Sequence, residues 1–130
     1  MVLIGRETVS AGTILAADIE MKNYVYYIGE PSGSKPNMFL DHEPIELPYS
    51  KFFAECATET YTTTTAEDKR RYLVPDAKIT ESFRDFISGK DVVLEKALSL
   101  SDEEVTGYNN GFYRGELWKR SSQKEAINEE

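Results

Sequence analysis

The clearest periodic pattern of apolar positions runs from Tyr72 to Leu100, YLVPDAKITESFRDFISGKDVVLEKALSL. Ile79, Phe83, Phe86 and Ile87 fall at i, i+4, i+7 and i+8, a spacing that places four large apolar side chains on one helical face. Val93, Leu94, Ala97 and Leu98 repeat the helical spacing after Ser88-Gly89-Lys90. Gly89 can adopt the left-handed conformation that closes a helix, and Asp91 can cap the next by accepting a backbone N–H. The pattern predicts two short helices, about 79–88 and 92–99, after a short strand and a proline turn. Ser101 and Glu104 then have the spacing of a capping box, opening a turn or two before Gly107.

Elsewhere the dominant signal is β. Thr13 to Met21 and Tyr24 to Ile28 are predicted as two strands joined by a tight turn at Lys22-Asn23, with Leu15, Ala17 and Ile19 facing the core. The apolar start Val2-Leu3-Ile4 lies against the body or adds an edge strand. Glu30 to Pro36 is a loop by composition, Asn37 to Leu40 a third strand, and Asp41 to Pro48, broken by Pro44 and Pro48, irregular. The segment from Tyr49 to Thr65 ends in TETYTTTT, which favours strand over helix, and after a turn at Ala66 to Lys69 the chain returns as a strand over Arg70 to Val74. Asn109-Asn110-Gly111 suits a hairpin turn leading into a last strand over Phe112 to Arg120. The expectation is a single α+β domain over 1–120, an antiparallel meander of five to seven strands with one or two short helices packed on one face, followed by a polar tail over 121–130.

Three stretches, Gly12-Thr13-Ile14-Leu15, YVYYIGEPSGSKPNMFL and YLVPDAKITESFRDFISGKDVVLEKAL, resemble an uncharacterised bacterial α+β domain family of unknown function. The shared positions are turn and core positions, covering about two-thirds of the chain. The resemblance implies an α+β fold and no activity.

Composition narrows the class. With 130 residues, 40% hydrophobic and 29% charged, the chain suits one soluble globular domain. No apolar run reaches membrane-span length, the N-terminus lacks a secretory signal pattern, and the single cysteine, Cys56, has no internal disulfide partner. These features predict a cytoplasmic protein. A formal charge of −8 disfavours non-specific contact with nucleic acid or anionic membrane, and the basic clusters Lys69-Arg70-Arg71 and Lys119-Arg120 are diluted by neighbouring acids.

Candidate chemistry is sparse. Asp41-His42-Glu43 is where an acid–base argument starts, a histidine flanked by carboxylates that Glu46 extends. On an extended chain these neighbours point to opposite faces, so they converge only if the loop bends sharply. One His and one Cys are too few for a zinc site, and Cys56, flanked by Phe52, Phe53, Ala54 and Ala57, reads as a buried inert thiol rather than a partner of His42. Gly29 to Lys35, GEPSGSK, lacks P-loop spacing, and Pro31 removes an N–H that a phosphate cradle needs. It reads as a hairpin loop, and no cofactor signature is present. Tyr24, Tyr26, Tyr27 and Phe39 form one aromatic group, and Tyr108, Phe112, Tyr113 and Trp118 a second; core packing and protein contact are the readings they suit.

The leading functional expectation is a small protein-binding module without catalysis, such as an inhibitor, an immunity-type partner or a phage- or plasmid-encoded antagonist. It would block a basic partner surface through Asp41, Glu43 and Glu46, with Tyr26, Tyr113 and Trp118 as aromatic contacts. The threonine-rich strand Thr60 to Thr65, if at an edge, offers a route to a homodimer. The alternative is a small hydrolase or ligand-binding enzyme using His42 with Asp41 and Glu43. DNA mimicry by the acidic surface ranks third, since fifteen cations are interspersed among the acids.

Overall fold

A computed structural model of the chain describes residues 1–107. In chain order they form β1 (Val2–Ile4), α1 (Ala11–Lys22), β2 (Tyr27–Gly29), β3 (Asn37–Glu46), β4 (Phe53–Thr62), β5 (Ala77–Lys78), α2 (Phe83–Ser88), α3 (Val92–Ser99) and α4 (Asp102–Gly107). The architecture is mixed α and β, with two small sheets. One is three-stranded, order β1-β2-β5, with both pairings parallel; the other is the antiparallel hairpin β3-β4. The expected single antiparallel meander is therefore not what these residues build. Its last predicted strand, over 112–120, and the polar tail lie outside the described residues.

The largest correction concerns 13–21, expected as a strand and found as α1. Thr13, Ala16, Ala17 and Glu20 are the buried positions, at i, i+3, i+4 and i+7. Period two put Leu15 in the core, yet Leu15 faces out, and the small residues Thr13, Ala16 and Ala17 of the helical stripe let α1 lie close on the sheet. The Lys22-Asn23 turn signal marks the end of this helix, not a hairpin: the Asn23 backbone N–H donates to Ile19 O at 2.8 Å. A helix between β1 and β2 is what parallel pairing requires, because the chain must cross back before the second strand starts.

Alternation along 25–28 gives the sheet two buried faces. Val25 and Tyr27 join Ile4, Ala16, Ala17 and Leu73 under α1, where the Tyr27 hydroxyl donates to Ala16 O at 2.8 Å. Tyr26 and Ile28 point the other way, against Ala97 and Val93 of α3, with Ala77, Ile79, Leu100 and Val105. A strand buried on both sides suits a parallel sheet covered by helices.

Arg70 belongs to an irregular segment instead of the expected return strand, and its side chain is fully buried. It donates to Glu20 of α1 at 2.7 and 3.1 Å and to Asp68 at 2.8 to 3.1 Å. Burial alone would drive the guanidinium toward its neutral form, but the charge of Glu20 and the hydrogen bonds it donates to Asp68 and Glu20 outweigh this and raise its pKa. Asp68 also accepts from the Thr64 hydroxyl at 2.8 Å, and Asn37 accepts from the Thr64 N–H at 3.1 Å, so the base of the hairpin is tied to the same cluster.

The hairpin β3-β4 runs through Pro44, where irregular chain was expected. Pro44 is tolerated because, among the described residues, β3 pairs on one side only, leaving the other edge free of ladder hydrogen bonds. Cys56, expected buried, is exposed on this hairpin, as are Phe52 and Phe53, because the strands extend away from the sheet and helices.

The C-terminal helices follow their local signals. Ser82 and Asp85 form a capping box, Gly89 closes α2 at φ 67°, and Asp91 accepts from Leu94 N–H at 2.9 Å to open α3. Ser101 and Glu104 cap α4 reciprocally. Helix α2 is shorter than expected, and its intended core face is not buried: Phe83, Phe86 and Ile87 are exposed, while Ile79 packs before the helix begins. Among the described residues no helix is long and apolar enough to cross a membrane.

Two tests follow from this packing. Arg70→Met removes the buried cation that Glu20 and Asp68 share and should lower stability by roughly 3–5 kcal/mol, read as a shift of the urea midpoint. At the α2 cap, hydrogen bonds from the Ser82 hydroxyl and then its backbone N–H hold the Asp85 carboxyl below its ordinary 3.8. That contribution is complete above 3.8 and disappears as pH falls through the lower folded value. An NMR titration should place the Asp85 midpoint below 3.8, and Ser82→Ala should return it toward that value.

Candidate functional site

Two loops leave the C-terminal ends of neighbouring parallel strands, 5–10 after β1 and 30–36 after β2. This is where open parallel sheets place ligands, since the strand ends and the following helix start converge there. The loops are bonded directly to each other. Glu30 N–H donates to Ile4 O at 3.1 Å and Gly33 N–H to Thr8 O at 3.0 Å, while Arg6 pairs with Glu30 at 2.9 Å. Two glycines make the approach possible. A Cβ on Gly33 would stand 2.1 Å from Arg6 O, and one on Gly29, whose φ is 122°, would stand 2.1 Å from Ile4 O.

Ser10 sits at the centre of this junction. It is the residue before α1, with φ 48° and ψ −119°, a backbone conformation that a non-glycine residue adopts only under constraint and at a cost of about 1–3 kcal/mol. The constraint is visible: Ser10 N–H donates to Ser34 Oγ at 3.1 Å, Ser34 Oγ donates to Thr13 Oγ1 at 2.8 Å, and Thr13 Oγ1 donates to Thr8 O at 2.8 Å. Thr13 is fully buried, so the relay is anchored under the helix start. Serine before a helix ordinarily caps it through its hydroxyl, yet Ser10 makes no side-chain cap hydrogen bond. Its hydroxyl is exposed and uncommitted among the described residues, on a sharp strand-to-helix turn.

Lys35 follows Ser34, so its backbone lies one residue from the group that fixes Ser10. The Lys35 side chain is exposed and forms no ion pair with the described residues, whereas Arg6, the other cation of these loops, is held by Glu30. Two open grooves are bordered by neighbours of this junction. One, about 560 Å³, starts at Ala11 and is lined by Ile14, Leu15 and Asp18 of α1 and by Tyr61, Thr62 and Thr63 of the hairpin. The other, about 320 Å³, starts at Lys35 and shares Thr62 with the first.

The residues singled out in the sequence lie elsewhere. Asp41, His42, Glu43 and Glu46 are exposed on β3. His42 pairs with Ala57 and Glu43 with Cys56, so the histidine and its following carboxylate occupy successive ladder positions and face opposite sides. Glu46 is engaged by Lys51 at 2.9 Å. The structure does not bring these groups together. Tyr26, expected as a surface contact, is buried against Ile28 and Ala97; Tyr113 and Trp118 lie outside the described residues. The first aromatic group is dispersed as well, with Tyr27 buried, Tyr24 exposed, and Phe39 exposed on the hairpin. The GEPSGSK segment is not a hairpin loop but the β2–β3 connection beside Ser10.

Ser10, Ser34 and Lys35 carried no weight in the sequence reading. A signal was present: a short apolar run, Val2-Leu3-Ile4, then a serine two residues before a glycine at the start of a helical segment. Reading 13–21 as a strand concealed it. No family model matches this chain, and no curated protein or solved structure matches it either.

Because the two loops touch backbone to backbone at Gly33, Gly33→Ala should separate them. The expected outcome is a stability loss of about 1–3 kcal/mol together with displaced amide resonances for Ser10 and Thr8, while those of α3 stay in place.

Proposed function

We propose that this chain is a serine hydrolase domain acting by acyl transfer, with Ser10 as nucleophile and Lys35 as general base. The observation that carries the reading is the strained backbone of Ser10 on a strand-to-helix turn with its hydroxyl unused by the helix cap. Such a turn exposes a nucleophilic Oγ above a sheet, and the strain persists because the Ser34–Thr13–Thr8 relay holds it.

The chemistry follows from the placement. The neutral amine of Lys35 accepts the Ser10 proton, becoming the ammonium, as Oγ attacks the carbonyl carbon of an ester or amide, in the serine–lysine variant of nucleophilic catalysis. The negative oxygen that develops is stabilised by backbone N–H groups at the start of α1, beginning with Ala11, which directly follows the nucleophile. Lys35 returns the proton to the leaving amine or alcohol, and water then releases the acyl group from Ser10. An extended, peptide-like substrate suits the grooves: they are open, and β4, which lines them at Thr60, Tyr61 and Thr62, has one edge without a neighbouring strand among the described residues.

A fluorophosphonate probe tests this directly. The Ser10 oxygen should displace fluoride and leave a phosphonylated Ser10, located by peptide mass spectrometry. Ser10→Ala should carry no label, and Lys35→Ala or Lys35→Arg should slow labelling by a factor on the order of 10² or more while circular dichroism is unchanged. A folded chain that takes up no probe, or takes it up at another residue, overturns the assignment. On any hydrolysed ester, Ser10→Ala should reduce kcat by roughly 10⁴-fold or more.

A further inference from the structure

The hairpin β3-β4 is the largest part of the described structure with no role in the Ser10 site beyond its base. Its strands are ten residues each, and at about 3.3 Å per residue it reaches roughly 30 Å from that base. No other described element packs broadly against it. An isolated two-stranded ribbon is marginal in water, so such a length exposing this much apolar surface is unusual.

The distal end is built for contact. Leu47 and Phe52 close the tip, with Leu47 N–H donating to Phe52 O at 2.8 Å and Lys51 N–H to Leu47 O at 3.0 Å. Between them Tyr49 is 99% exposed, and Phe52, Phe53 and Ile45 stand out beside it. The bonded tip presents these side chains from a fixed frame, which lowers the ordering cost of binding. Carboxylates surround them. Glu46 and Glu55 share the ladder face of Phe53, Glu43 shares that of Ile45, and Asp41 and Glu59 follow along the stem. Lys51 is the only lysine or arginine from 37 to 62, and it is paired with Glu46.

We infer that the tip of this hairpin is a docking surface for a protein partner that offers an apolar pocket rimmed by lysine and arginine. Tyr49 and Phe52 at the tip, Phe53 on one face of the ribbon and Ile45 on the other enter the pocket, and Glu46 and Glu55 on the first face and Glu43 on the second meet the basic rim. The charge selects among occupants. A second copy of the same tip would set like carboxylates against each other, and an anionic lipid surface would repel them. This surface is independent of the Ser10 chemistry.

The test uses the full chain and defined probes. These are a synthetic amphipathic helix with a leucine stripe flanked by lysine and arginine, the same stripe flanked by glutamate, and vesicles of phosphatidylcholine. Sedimentation velocity of the chain alone accompanies them. The basic peptide should bind, weaken as salt rises, and lose at least tenfold in affinity with Tyr49→Ser/Phe52→Ser. Glu43→Lys/Glu46→Lys/Glu55→Lys should lose as much and shift preference to the acidic peptide. All these positions are exposed, and unchanged circular dichroism and unchanged phosphonylation of Ser10 serve as controls for folding. Equal binding of both peptides, binding indifferent to the variants, partition into the vesicles, or a dimer that Tyr49→Ser dissolves would each overturn the inference.

Discussion

A single buried cation holds the two halves of this structure to each other. Arg70 grips Glu20 of α1 on one side and Asp68 of its own segment on the other, with no side-chain exposure at Arg70 or Asp68 and almost none at Glu20. Taking three charges out of water is costly, and it is tolerated here because the planar guanidinium meets both carboxylates with several short hydrogen bonds. The consequence is geometric. Helix α1 is fixed against the segment that follows the hairpin, Leu73 is delivered beneath the helix, and the chain reaches β5 in register beside β2.

That fixation matters at the other end of α1. The helix begins at the strained turn of Ser10, and a strained residue survives only where its surroundings hold it from several directions. Thr13 below, Ser34 beside and the Gly33–Thr8 contact across the loops supply this hold. Leu73 contributes from the same segment as Arg70: its N–H donates to Ser32 Oγ and its carbonyl accepts from Ser32 N–H, pinning the loop that carries Ser34 and Lys35. The ion cluster and the serine junction thus sit at opposite ends of one helix and share one supporting strand of backbone.

The hairpin stands apart from this economy. Its base is integrated through Asn37 and Thr64, while its distal half contributes nothing to either core. Apolar side chains at the tip are costly to leave in water, and acidic flanks disfavour edge-to-edge pairing of like-charged ribbons. A supported serine junction and an extended acidic arm are separable pieces of one chain, the first held by packing and the second by its own ladder.

What the sequence determined by itself was whatever three or four neighbouring residues can settle. Helix α3 occurs where the spacing of Val93 and Ala97 placed it, and Ser82, Gly89, Asp91 and Ser101 cap or close helices as their side chains and backbone freedom dictate. Tertiary structure decided the rest, because the deciding contacts join residues far apart. Helix α1 over 13–21 is held at Glu20 by Arg70, fifty positions later, and local β-propensity at Thr13, Ile14 and Ile19 carried no trace of that contact. Parallel pairing of β1 with β2 turned on α1 crossing between them. The site was legible only as a serine near a glycine; its strained backbone is held by the Ser34 hydroxyl, twenty-four residues away, and only the fold brings that side chain to the Ser10 N–H. The exposure of Phe83, Phe86 and Cys56 was hidden for the same reason, since apolar character says that burial is favourable and only packing says whether a partner surface is there.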